Sequence, residues 1–152
     1  INYSKYQKTM KPQFLISGTQ TGGLAHLAGE HYTRVINYDL EKNSASVVGP
    51  ILASSESLTH AAIYECNPKI NVVLHIHNMN IWSKMIQDNL PSTKAHIPYG
   101  TILMANEVKR IIANASSGSL AMQGHEEGVI IFGSSFCEAM DLCLELNHKY
   151  NN

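Results

Sequence analysis

The run Asn71-Val72-Val73-Leu74-His75-Ile76-His77 constrains this chain more tightly than any other segment of it. Its apolar body reads as a buried strand, and it ends in two histidines separated by one isoleucine. Alternate side chains of a strand share a face, so His75 and His77 project together while Ile76 packs into the other side. Two neutral imidazoles held at a nearly fixed separation are half of a metal site, and nitrogen ligands of this kind suit zinc. Taken alone, the pair is equally a polar end to a strand. What decides between the two is what the rest of the chain brings to that face.

With 152 residues, 44% hydrophobic and 15% charged, the chain reads as a single globular domain over residues 1–152 that can bury a real core. The formal net charge of -1, with no cluster of lysine and arginine, argues against nucleic acid or an anionic membrane surface as a partner. No apolar run approaches the roughly 20 residues that a spanning helix requires. Cys66, Cys137 and Cys143 form no C-x-x-C pair, and an odd set of thiols without a signal peptide predicts reduced core thiols in a cytoplasmic protein. The chain opens on Ile1 rather than Met, as a fragment or trimmed chain with a missing upstream element would.

Residues 1–13 are polar and aromatic, with Tyr3 and Tyr6 alternating against Ser4 and Lys5 as in a ragged first strand. Phe14-Leu15-Ile16 is a compact strand that runs into Ser17-Gly18-Thr19-Gln20-Thr21-Gly22-Gly23. That loop is either an ordinary turn or an oxyanion cradle, because glycines let backbone amides converge and threonine hydroxyls add donors. Alternation over residues 31–38 and again over 44–48, with turn chemistry between them, predicts a β-hairpin. Ser54-Ser55-Glu56 then opens a helix through Leu58, Ala61, Ala62 and Glu65 that Pro68 stops. A helix start of this composition suits a phosphate, and it equally suits ordinary capping.

After His77 the pattern predicts a helix over residues 81–87, with Trp82, Met85 and Ile86 on its buried side, and another over 103–113. Residues 119–123 and 129–132 read as strands joined around Gly124-His125-Glu126-Glu127-Gly128, which puts His125 at a strand end as the natural third ligand. A last helix begins at Ser134 or Ser135, where Glu138 completes a capping box, and runs to about residue 150. Phe136, Met140, Leu142, Cys143 and Leu146 are its expected apolar contacts, and His26, His31 and His148 are expected at the surface.

The order of these pieces is more demanding than any one of them: a glycine-rich hydroxyl loop, Ser54-Ser55-Glu56 with His60 one turn on, a proline turn, His75-x-His77, then His125 after a strand. In this order the chain resembles the class II aldolase and adducin-head family over nearly its whole length. The resemblance implies a single three-layer α/β domain with a central, mainly antiparallel sheet flanked by helices, and assembly as a cyclic homotetramer with sites at subunit borders. It makes His75, His77 and His125 ligands of one zinc ion per chain. It makes Glu56 a carboxylate that can ligate the metal and also move a proton. Ser54 and Ser55 would hold a substrate phosphate together with Thr19, Gln20 and Thr21, and Asn2 and Ser4 match the family's Gly-Asn-x-Ser element apart from its glycine.

The family's helix before that element is absent from this chain, and its His-Gly element at the last ligand is replaced by Gly124-His125-Glu126-Glu127-Gly128. The tyrosine that such aldolases donate from a neighbouring subunit has no clear counterpart, with Tyr99 and His96 as the residues that could stand in. The resemblance thus implies a zinc-dependent lyase that cleaves a small phosphorylated sugar or related hydroxy-carbonyl compound through a metal-stabilised enediolate. The same site could serve a sugar-phosphate epimerase or dehydratase. A further alternative is a non-catalytic interaction module like the adducin head, which shares the fold without needing the metal ligands.

Overall fold

The computed structural model describes residues 11–151. Asn2 and Ser4, and most of the ragged first strand expected over residues 1–13, therefore lie outside the described residues. The elements run β1 (Phe14–Ser17), β2 (Tyr32–Asp39), β3 (Ser44–Val48), α1 (Ser57–Cys66), β4 (Val72–His77), α2 (Met79–Gln87), α3 (Ile102–Ile112), β5 (Gly118–Ala121), β6 (Gly128–Gly133) and α4 (Phe136–Asn151). The expected antiparallel sheet is divided in two. One sheet has the order β1-β2-β3 and the other β4-β6-β5, and all pairs within them are antiparallel.

The second sheet forms the middle of three layers, and β6 is its central strand. Its run Val129-Ile130-Ile131-Phe132 is buried on both faces, which is why it lacks the alternation of a half-exposed strand. Ile130 and Phe132 pack with Val73 of β4 against Ile63 of α1 and Met104, Val108 and Ile112 of α3. Val129 and Ile131 pack with Leu74 and Ile76 against Ile81 and Met85 of α2 and Ala139, Leu142 and Leu146 of α4. Strand period two thus assigns His75 and His77 to the α1 and α3 side, as the alternation predicts. The β1-β2-β3 sheet covers the other flank of α1, where Ile16, Val35 and Tyr38 meet Leu58 and Ala61.

Helix starts follow local chemistry. Asn78, directly after the histidine pair, caps α2 through Oδ1, which accepts the Ile81 N–H at 3.0 Å, so that helix begins two residues earlier than its apolar pattern suggests. Thr101 caps α3 through a bond from the Met104 N–H. Ser135 accepts from the Glu138 N–H at the start of α4, while the Glu138 carboxylate accepts from the Ser134 N–H, so the expected capping box is split between the two serines.

Two expectations for α4 are corrected. Phe136 and Met140 face solvent, and so does Cys137, which is not a core thiol. Cys66 and Cys143 are half-buried, and all three thiols are free. Among the described residues no helix is long and apolar enough to cross a membrane.

Candidate metal centre

The two histidines at the end of β4 meet His125 because β4 and β6 are paired in register up to His77 opposite Gly128. His125 lies in the tight turn that joins β5 to β6. Its N–H donates to the Met122 carbonyl at 3.0 Å, its carbonyl accepts from Gly128 N–H at 2.8 Å, and the Glu127 carbonyl accepts from Asn78 N–H at 2.9 Å. The turn is thereby tied to the residue that follows His77. The three rings lie 4.7 to 5.0 Å apart between centroids. One ligand nitrogen from each falls within 4.8 Å of the others, an arrangement that can coordinate a divalent metal.

Glu56 approaches from α1. It occupies the helix N-cap position but makes no capping bond, and it is almost wholly buried, 1% exposed. Oε2 accepts from the Thr59 hydroxyl at 2.7 Å, and Oε1 lies 3.9 Å from His125 Nδ1. The serine expected as the cap, Ser54, instead accepts the Glu56 N–H through Oγ at 3.2 Å.

The electrostatics favour neutral imidazoles. Burial, and then the charges of His125, His60 and His77, push His75 down to about 3. Burial and the charge of His77 push His125 down to about 4, and burial alone does the same to His60. Glu56 is displaced upward by burial, against the opposing pull of the Thr59 hydroxyl, the Gly100 backbone amide and His77. The short Glu56–His125 approach is therefore not an ordinary ion pair. His75 Nε2, His125 Nδ1 and Glu56 Oε1 are all buried without a hydrogen-bond partner among the described residues. Burying three such atoms together is costly unless a shared partner compensates them, and neutral imidazoles with a carboxylate are the donor set zinc takes. The residues present fit that ion.

The surroundings also place the other residues of interest. Tyr99 stacks on His125 with ring centroids 4.1 Å apart and planes inclined by 21°, whereas His96 is exposed. Residues 17–19 run beside residues 52–54, with Thr19 N–H on the Leu52 carbonyl at 2.9 Å and Ser54 N–H on the Ser17 carbonyl at 3.3 Å. The hydroxyl loop and Ser54-Ser55 are therefore neighbours, although the Thr19 amide and Ser54 Oγ are already engaged and Thr21 turns its hydroxyl inward onto the Gly18 carbonyl. Gln20 is exposed.

A cavity of about 330 Å³ is bordered by Ser54, Ser55, Ser57, Asn43, Leu52 and Gly100; among the described residues neither Glu56, the three histidines nor any lysine or arginine lines it. A larger groove of about 1040 Å³ between β1 and α1 contains none of the ligating side chains. His60 is buried behind His75, while His26 and His148 are exposed and His31 is partly exposed. Sequence reasoning missed Thr59 and Gly124, since neither a hydroxyl at i+3 from a carboxylate nor a glycine before a histidine signals its tertiary partner.

The sequence model described as Class II Aldolase and Adducin N-terminal domain matches residues 12–150. The chain belongs to that family. Comparison with curated protein sequences gives no match. Among solved structures, the sugar-phosphate aldolase of Thermotoga maritima is similar at a TM-score of 0.65 and 16% identity, covering 91% of this chain and 69% of that one. YgbL of Escherichia coli, for which aldolase, epimerase or decarboxylase activity has been suggested, is similar at 0.62 and 18% identity, covering 92% and 76%. YgbL of Klebsiella pneumoniae gives 0.56 and 16% over 92% and 76%. At these identities the structural likeness speaks to the fold.

Proposed function

We propose that this chain is a zinc-dependent, aldolase-type lyase that acts on a small phosphorylated sugar or a related hydroxy-carbonyl compound, with one zinc per chain. The observation that carries this reading is the convergence of His75, His77 and His125 with the buried, partly unpartnered carboxylate of Glu56. Those four residues would hold the ion. When bound, zinc polarises a carbonyl and stabilises the negative charge that develops beside it.

Glu56 is the group that moves the proton. Burial raises its proton affinity, the direction that suits a carboxylate which accepts a proton and returns it. Ser54, Ser55, Thr19, Gln20 and Asn2 would hold the phosphate through neutral donors, Ser54 and Ser55 from the wall of the smaller cavity. Tyr99 covers one face of His125 and limits water at that side of the centre. Epimerisation by breaking and remaking the carbon bond, and dehydration by loss of a β-hydroxyl, would draw on the same ligands and on proton transfer by the same carboxylate, so they are the reactions to assay beside cleavage. By likeness to the family we further propose a cyclic homotetramer acting in the cytoplasm.

The test is the metal content of the purified protein beside the His75→Ala and Glu56→Gln variants. We expect about one zinc per chain in the wild type and a loss of at least tenfold in affinity for His75→Ala. Glu56→Gln should retain zinc yet fail to cleave any ketose or aldose phosphate that the wild type accepts. A wild-type protein that takes up no metal when zinc is offered overturns this reading in favour of an interaction module.

A further inference from the structure

At a helix N-cap a short acidic or hydroxyl side chain ordinarily turns back to the free amides of the first turn. Glu56 does not; its carboxylate enters the interior, and its two oxygens meet different surroundings. Oε2 is held by the Thr59 hydroxyl at 2.7 Å, and Oε1 has no hydrogen-bond partner and faces His125 Nδ1 at 3.9 Å. Thr59 is itself 1% exposed. A threonine within a helix commonly returns its hydroxyl to a carbonyl three or four residues back. Here the hydroxyl goes to the side chain of the residue three back.

We propose that Thr59 is a positioning residue which ties down one oxygen of Glu56 and so presents the other, singly, to the metal centre. The inference rests on the metal-centre reading and extends it to a residue outside the ligand set. A free carboxylate can offer both oxygens to one cation. A donor fixed on Oε2 removes that equivalence, and in a buried site losing that hydrogen bond leaves a costly unpaired oxygen. The direction of the hydroxyl is set by the chain, because β-branching leaves threonine few rotamers on a helix and i, i+3 spacing stacks Thr59 over Glu56. Thr59 would therefore keep Glu56 a one-oxygen ligand when a metal is bound, with Oε2 as its fixed pivot.

Cobalt(II) added to the metal-free protein reports this directly, because its visible absorption weakens as coordination rises from four to five. Thr59→Val keeps the branched shape and removes the hydroxyl, Thr59→Ala removes it without any packing conflict, and Thr59→Ser restores it. The expected result is a loss of about twofold or more in cobalt absorption in both hydroxyl-free variants, with Thr59→Ser close to the wild type. Cobalt bound with superimposable spectra in the wild type, Thr59→Val and Thr59→Ala overturns the role of Thr59 and leaves the metal centre standing. Failure of the wild type to bind cobalt overturns both.

Discussion

Replacing Gly124 by alanine tests how the turn that carries His125 is held against the rest of the molecule. A Cβ on Gly124 would lie 1.6 Å from the Ile97 carbonyl oxygen and 2.6 Å from its carbon. These are backbone atoms, so no side-chain rotation relieves the contact. The separation has to open to at least 3.0 Å, a displacement of about 1.4 Å in one of two packed segments. Ile97 is buried in the core cluster shared by α1, α3 and the β4-β6-β5 sheet, and Tyr99 follows it two residues later.

Forced repacking of this kind costs about 3 kcal/mol, or about 6 to 12 °C in melting temperature for a chain of this size. The displacement also lifts Tyr99 from His125 and should weaken zinc binding about tenfold. The protein carries its own probe for this experiment. Its one tryptophan, Trp82, donates from Nε1 to the Met122 carbonyl at 3.0 Å, the same oxygen that accepts from His125 N–H. Urea unfolding followed by Trp82 fluorescence therefore samples the turn itself. Gly29→Ala is the control, because a Cβ there meets nothing within 4 Å. A Gly124→Ala protein within about 0.5 kcal/mol of that control, with unchanged zinc affinity, refutes the argument.

The metal-free protein should lose stability as pH falls from about 6.5 toward 4. His75, His125 and His60 bind protons less readily folded than unfolded, so the unfolded state takes up more protons in that window and is favoured by acid. The loss is about 1 kcal/mol per histidine at one pH unit below 6.5, partly offset by Glu56, whose raised proton affinity acts in the opposite sense. Urea midpoints of chelator-treated protein measured between pH 7.5 and 5 should fall accordingly, and a flat profile contradicts the assignment. Tyr38→Phe removes the bond from a buried phenol to Glu65 Oε1 at 2.9 Å and should cost about 1 kcal/mol in urea unfolding. It should leave zinc content unchanged, since Glu65 and its partner Lys109 stand apart from the centre.

Much of this architecture can be read from local pattern. The hairpin of β2 and β3, the strand that ends in His75 and His77, and the serine cap of α4 each rest on neighbours in sequence. The histidine triad was accessible for the same reason, since strand period and a turn after a strand both place side chains. Pairing between distant strands carries no such local signal, and nothing in residues 44–77 states that β3 and β4 belong to different sheets. Helix α4 shows a second limit. Phe136, Met140 and Leu144 make one stripe at i, i+4 spacing, while Ala139, Cys143, Leu142 and Leu146 make another, and periodicity alone cannot rank them. Packing against α2 and β6 selects the second. The hydroxyl that holds Glu56 is hidden for a related reason, because the direction of a side chain at an N-cap depends on what lies beneath the helix.

The division of the centre between two kinds of element bears on how such a protein can change over evolutionary time. All three histidines hang on the β4-β6-β5 sheet and its connecting turn, whereas the carboxylate arrives on α1, whose opposite flank belongs to the other sheet. On the function proposed above, the three histidine ligands and the carboxylate that moves the proton are thus inherited on separate supports. Substitutions around the start of α1 would then retune or silence the reaction while leaving the three histidines in place, and a lineage could explore new chemistry on the same histidine platform.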